Sequence, residues 1–284
     1  MGKRLYGFLI VALVYVIAVS VGAVTYLFLP FEAFWLKLLI ADVIATVVVF
    51  IFSVIFKNAS VYDPYWSVQP IVILIYFACV NGVSLISGLL LTVVCIWGVR
   101  LTLNWCYTFT GFDYQDWRYT MLKEKSGKLY PIVNFLGIHL FPTIVVYSVI
   151  LPAVYTFKTE VSFNPLSIIF LLLSLFAVVL QGLSDYQMHA FRKNRTSTFI
   201  RVGLWKYSRH PNYLGEILMW WGVALSVLVC NVNLWYLCFG ALLNTLMFLF
   251  ISVPMADKRQ SKKDGFAEYK TATRMLLPIK KIVK

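Results

Sequence analysis

Residues 203–216 read GLWKYSRHPNYLGE, and the placement of this stretch decides the fold. It separates two long apolar runs and carries Lys206, Arg209, His210, Asn212 and Glu216. Apolar chains rarely gather so many polar groups at a membrane edge without a ligand to hold. Pro211 suits the first position of a helix, where its missing N–H leaves no bond unmade. The preceding KYSRH then approaches a helix N-terminus, whose free N–H groups already favour anions. Arg209 and His210 add charge and donors. Asn212 and Glu216 are four residues apart, so they share a helix face and look back on the same pocket.

The flanking runs are apolar enough to be membrane spans. The chain has 284 residues, 61% hydrophobic and 13% charged, with a mean hydropathy of +0.80. Soluble domains are nearer half apolar and a quarter charged. The expectation is one all-α, polytopic transmembrane bundle over residues 1–284. Residues 1–60 form its N-terminal spans and 61–284 its core. The N-terminal apolar run is about twice the roughly 7–15 residues of a signal-peptide core, so it reads as a first span. Apolar runs predict helices at about 5–29, 36–56, 68–80, 84–110, 131–157, 164–190, 212–230 and 232–254. That is eight spans, with a range of seven to nine. The third is too short to cross roughly 30 Å unaided, and is expected to be tilted, broken or re-entrant. No alternating pattern suits a β-barrel, which leaves helices to satisfy the backbone in lipid.

Sidedness follows from Lys and Arg. With the N-terminus in the cytoplasm, 22 of the 25 fall in cytoplasmic segments, which predicts both termini inside. The formal charge of +13 is therefore concentrated on one face. Plain topology signalling and attraction to anionic lipid account for much of it. No basic stripe with regular aromatics suits nucleic acid. The five cysteines lie in or beside apolar runs without C-x-x-C spacing, and read as small buried hydrophobes, not metal ligands.

Ionisable groups inside spans cost roughly 2.5–3.5 kcal/mol or more and are functional candidates by default. In WGVRLTLNW, Arg100 and Asn104 share a face with Trp97 one turn away. In QGLSDYQMHAFRKNR, Gln181, Asp185 and His189 form one stripe. Asp185 has two candidate partners, Arg192 on its own helix and Arg100 on a neighbour. The following Arg192, Lys193 and Asn194 are where a basic loop meets a phosphate. YDPYWSV sets Asp63 among Tyr62, Tyr65 and Trp66. An interfacial aromatic belt explains the rings but not the carboxylate. DWRY (116–119) and the tail, with Asp257, Arg259, Glu268 and Tyr269, lie on the same side.

GLWKYSRHPNYLGE closely resembles the G-L-W-x-x-[ST]-R-H-P-N-Y-x-G-[ED] signature of membrane NADPH-dependent reductases. With WGVRLTLN, DWRY, DYQMHAFRKN and the tail, the chain is similar to the bacterial membrane family with a steroid 5-alpha-reductase C-terminal domain. The likeness covers roughly residues 60–280. It implies a helical fold of seven or more spans in a bacterial inner membrane, with the active site toward the cytoplasm and NADPH held by the last helices and their loops. Carried over, Asn212, Tyr213 and Glu216 line the nicotinamide end, and Tyr207, Arg209 and His210 belong to the same motif. Asp185 and Asn194 hold the cofactor, with Arg192, Lys193 and Arg201 near its phosphates. Arg100, Asn104, Arg259 and Tyr269 complete the cradle. The steroid enzymes hold the substrate ketone with an acidic residue and a tyrosine. Asp63 matches the first, and Trp97 stands where the second falls.

The implied reaction is hydride transfer from NADPH to a conjugated C=C of an enone in a steroid-like or other lipid substrate. Asp63 or Tyr62 polarises the oxygen, Glu216 belongs to the catalytic set, and Tyr65, Trp66 and Trp97 bind substrate. A carboxylic acid kept neutral in an apolar pocket can donate such a hydrogen bond. The rival expectation is an S-adenosylmethionine-dependent membrane methyltransferase of the isoprenylcysteine or phospholipid type, which shares an R-H-P-x-Y-x-G core. A non-enzymatic lipid-binding protein is the third class.

Overall fold

The computed structural model describes residues 2–195 and 197–279. Within these residues twelve α-helices follow one another: α1 Lys3–Phe28, α2 Phe34–Ile55, α3 Tyr65–Asn81, α4 Leu85–Thr108, α5 Trp117–Ser126, α6 Tyr130–Val133, α7 Phe141–Lys158, α8 Ser167–Lys193, α9 Pro211–Leu228, α10 Cys238–Met247, α11 Val253–Gln260 and α12 Phe266–Ala272. Among the described residues no strand forms beyond a single bridge, Ser208 to Arg274. The architecture is a polytopic membrane helix bundle.

Among the described residues seven helical runs are long and apolar enough to cross a membrane, within the expected range. Two differ from the sequence expectation in an instructive way. The third is longer than its apolar stretch. α3 has 17 residues with Pro64 as its N-cap, and a 3₁₀ turn at Ala59–Val61 leads into it across a turn at 62–64, giving a run of 23 residues, Ala59–Asn81. The fifth begins earlier than the apolar residues do. Helical structure from Trp117 to Lys158 is nearly continuous over 42 residues, with a π-helical stretch at Asn134–Leu140 joining α6 to α7. DWRY is thereby the start of a helix and not a loop: Asp116 caps α5 through its side chain on the Arg118 N–H. The helix expected as the seventh span, α9, is not among these seven runs: it is 18 residues long, and its first turn is the polar motif itself, which lowers its hydropathy. It is also the most enclosed, with twelve buried residues.

The main core is built from α3, α4, α7, α8 and α9, around Trp97, Ile150, Met219 and Trp220. A separate cluster packs α1 and α2 against Val61, Tyr62 and Tyr65. Lipid gives no hydrophobic drive between helices, so close backbone approach matters. The antiparallel pair α8–α9 shows it. A methyl group on Gly215 would meet Gln181 Cγ at 2.5 Å and the Ala177 carbonyl at 2.8 Å. Seven residues on, one on Gly222 would meet the Phe170 carbonyl at 2.6 Å. These two glycines bring the Asn212–Glu216 turn onto the Gln181–Asp185 stripe. The cysteines are free, but not buried as expected: Cys79 is exposed and the other four are half-buried.

Candidate functional site

Two adjoining cavities lie at one end of the bundle. The membrane-side cavity, about 310 Å³, is enclosed by α4, α7, α9 and α10 with the start of α3 and α5. The loop-side cavity, about 600 Å³, lies under α5, α11 and α12. Both fall in the size range of small-molecule sites, roughly 300–1,000 Å³. They share a wall formed by Asp63, Trp66, Asn104, Asp185, Asn212 and Tyr213.

The α4–α8 seam carries the buried charge. Arg100 Nη1 donates to Asp185 Oδ2 at 2.8 Å, and Arg100 Nη2 donates to Gln181 Oε1. Of the two candidate partners for Asp185, Arg100 makes the ion pair. One turn on, His189 Nε2 and Asn104 Oδ1 are 2.7 Å apart. The residues four apart in sequence thus meet as two rungs between helices. A charge in a span needs such a partner, since removing one member leaves the other uncompensated.

Glu216 lies one turn into α9 and lines the membrane-side cavity. Trp97 Nε1 donates to its Oε2 at 3.0 Å and Trp220 Nε1 to its Oε1 at 2.8 Å. The two indoles meet edge to face at 4.8 Å. Trp97 was expected to bind substrate. It is fully buried and lines neither cavity, so its role is to hold Glu216. Tyr65 also departs from its expected place. Its hydroxyl turns away to Asp42, and it lines a different, apolar pocket between α1, α2 and α3. Tyr62 and Trp66 do line the membrane-side cavity.

Asp63 has a partner that the motif reading missed. The Tyr119 hydroxyl donates to Asp63 Oδ1 at 2.5 Å, and both line the membrane-side cavity. The phenol sought at position 97 is therefore brought in by α5, from a motif noticed in the sequence but given no role. Trp117 and Arg118 come with it and line both cavities. Asn244 and Phe248 were missed altogether, although a lone Asn in an apolar span is itself a signal.

On the loop side, Arg209 and His210 converge on Asp257. Arg209 Nη2 is 3.0 Å from Asp257 Oδ2 and His210 Nε2 is 2.9 Å from Asp257 Oδ1. Arg209 Nη1 donates to the Thr273 carbonyl at 2.6 Å, and its backbone N–H to the Arg274 carbonyl at 2.9 Å. Arg209 and His210 line the loop-side cavity, and Arg209 also ties the motif to the tail through these bonds. Tyr269 does the same, donating to the Trp205 carbonyl. Burial pushes its phenol up to about 12, so it stays protonated. Arg192 and Arg259 do face the cavity and make no ion pair among the described residues; Arg259 lies 4.3 Å over the Trp117 ring. Burial lowers the Lys263 ammonium, and nearby Arg195, Arg259 and Arg192 lower it further. The roof thus gathers cations in search of an anion. Lys193, Asn194, Arg201 and Tyr207 are exposed and line neither cavity. Arg201 lies over Phe199 at 4.3 Å, and Lys206 over Tyr207.

Several buried polar atoms on the cavity wall lack partners among the described residues: Asn212 Oδ1, Asn244 Nδ2 and Gln181 Nε2. Buried polar groups are normally satisfied, so these atoms fit a ligand that carries both a donor and an acceptor.

No solved structure matches the chain. An uncharacterised protein of the fission yeast Schizosaccharomyces pombe is 27% identical over 197 residues, covering 59% of this chain and 57% of the yeast protein. The chain thus aligns with little more than half the length of that relative. A family model described as a protein of unknown function, DUF1295, matches residues 49–273, which leaves α1 and most of α2 outside it. The chain belongs to the DUF1295 family, which is related to steroid 5-alpha-reductase-like membrane proteins.

Proposed function

We propose that the protein is an NADPH-dependent membrane reductase that saturates the conjugated C=C of a steroid-like or other lipid enone. One observation carries this reading: a cavity pair that is cationic toward the loops and more apolar toward the membrane, with a hydrogen-bonded carboxyl–phenol pair, Asp63 and Tyr119, in the membrane-side half. The residues fit the cofactor. Arg192 and Arg259 offer unpaired charge to its phosphates. Asn212 and Asn244 offer the acceptor and donor that a carboxamide complements. When bound, NADPH supplies hydride to the substrate's electron-poor carbon.

The chain's own groups do the rest. Asp63 and Tyr119 hold one proton between them and present it to the enone oxygen. Glu216, fixed by two indoles, forms the wall at the junction. Phe141, Val145, Val149 and Ile251 exclude water from the apolar half. The loop-side cavity faces the cytoplasm of a bacterial inner membrane, because the basic loops gather there. S-adenosylmethionine carries no phosphate and leaves Arg192 and Arg259 without a purpose.

The test is thermal stabilisation of detergent-purified protein by NADPH, NADH and S-adenosylmethionine in parallel, since a ligand of the folded state raises apparent stability. NADPH stabilisation that disappears in Asn212→Ala is the expected result. Stabilisation by S-adenosylmethionine alone would overturn the reductase in favour of a methyltransferase.

A further inference from the structure

Gly137 and Ile251 belong to both sides of the cavity wall. Both line the membrane-side cavity, and both are exposed on the outside of the bundle, Ile251 by 43%. A methyl group on Gly137 would meet nothing within 4 Å beyond its own helix. The two therefore stand at a mouth and not in a closed wall. The setting tells what that mouth faces. Each lies within a run long and apolar enough to cross a membrane, Trp117–Lys158 and Val232–Gln260. Their neighbours Leu136 and Phe250 are apolar and turned outward, 50% and 73% exposed. Lipid chains, not water, cover such a surface.

The backbone explains why the helices part there. Deeper in the bundle α7 and α10 touch: Gly240 lies against the Ser148 carbonyl, with no room for a Cβ. From that contact they run antiparallel, α7 back to Val145 and Phe141 and α10 on to Asn244 and Met247, and the cavity lies between them. Gly137 and Ile251 are equally far along the chain from the contact, so they come level. Both sit in π-helical stretches, Asn134–Leu140 and Phe248–Ser252. A π turn takes in an extra residue and turns the face that follows, and such turns recur at functional sites. One on each side of the seam ends the regular packing that two α-helices would otherwise continue.

We infer that the membrane-side cavity opens sideways into the bilayer between these two π-helical stretches, and that Gly137 keeps the mouth clear for a substrate dissolved in lipid. The substrate class is then an amphiphile that never leaves the membrane. Its apolar body passes between the two stretches, and its polar end stops at Asp63 and Tyr119 in the same cavity. A mouth that meets hydrocarbon admits such a molecule without admitting water. The inference rests on the reductase reading only for what happens to the molecule once inside.

The test places the full chain in nanodiscs of phosphatidylethanolamine and phosphatidylglycerol, with a diazirine-bearing steroidal enone dissolved in the bilayer as probe. Val145 and Val149 line the cavity and are each 2% exposed, out of reach of bulk lipid. Photolysis should tag them in wild type. Gly137→Trp and Ile251→Trp fill the mouth, and each should cut that tagging about tenfold or more, because a packed seam leaves no path for a ring system. Leu136→Trp is the control. It adds an indole to the same exposed stretch but lines neither cavity, so tagging stays within about twofold of wild type. NADPH stabilisation of Gly137→Trp is unchanged; if it were lost, Ile251→Trp would decide. No tagging in wild type overturns the inference. So does equal tagging with the mouth filled, or an equal loss in Leu136→Trp. If the tagging follows the expected pattern but NADPH brings no reduction of the probe, the mouth stands and the reductase reading fails. If the probe is reduced as fast in both filled variants as in wild type, the reductase stands and the mouth fails.

Discussion

The two halves of the cavity are built in opposite ways. The loop-side half is assembled from contiguous motifs: Arg209 and His210 are neighbours and converge on one carboxylate, Asp257. The membrane-side half is assembled from single residues far apart in sequence. Tyr119 reaches Asp63 across 56 positions and Thr143 reaches Tyr62 across 81. The first holds charge against water and ions, where several weak contacts add up. The second works inside lipid, where one misplaced polar group is expensive and each contact is separately made. The contrast teaches that fixing the cofactor and handling the proton are separable, and mutations should separate them.

The largest effect is expected at Asp257. Its carboxylate sits between Arg209 and His210, all three less than a tenth exposed. Asp257→Ala leaves buried charge without a partner and costs about 3–5 kcal/mol. Thermal unfolding in detergent should fall accordingly, with NADPH stabilisation lost. If only binding fell, Asp257 would be a ligand and not the tie between motif and tail.

Asp63→Asn should do the reverse. It keeps the shape and removes the shared proton, so turnover of an enone falls on the order of a hundredfold or more while NADPH stabilisation persists. Tyr119→Phe should follow it in direction. A variant that lost cofactor binding as well would erase the division between the halves.

How much of this was legible follows the same division. Most span positions were readable, and Arg100 was one of the two partners expected for Asp185, because i, i+4 spacing and the cost of charge in lipid act locally. So was the convergence of Asn212 and Glu216 on one pocket. Trp97 was misplaced because its spacing tells which face it shares, not whether that face looks into a cavity or onto Glu216. Tyr65 was misplaced because it and Tyr62 belong to different elements: Tyr62 closes the 3₁₀ turn before Pro64 and faces the cavity, whereas Tyr65 opens α3 and faces Asp42. Tyr119 was invisible as a partner because α5 continues the fifth span, and apolar periodicity stops short of Trp117.

Smaller effects grade the roof. Arg192→Ala and Arg259→Ala each remove one unpaired cation from the loop-side cavity. A charge-assisted contact to phosphate contributes about 1.5–3 kcal/mol, so NADPH affinity should drop about tenfold or more in each, with the salt dependence reduced. Asp63→Asn sets the contrast, since its turnover falls without a change in that affinity.

The smallest expected effect is at residues that motif resemblance alone assigned to the phosphates. Lys193 and Arg201 are as basic as Arg192, and they flank the same loop. Yet both are exposed and neither lines a cavity. Arg201 lies over Phe199, a contact of about 0.5–1 kcal/mol at an exposed site. An exposed cation a Debye length away, about 8 Å at physiological salt, adds little to a bound anion. Lys193→Ala and Arg201→Ala should therefore change the Kd for NADPH by less than about twofold at that salt. A larger change that persists at high salt would mean that the loop closes over the cofactor and brings them in. The cavity would then be completed by binding rather than built beforehand.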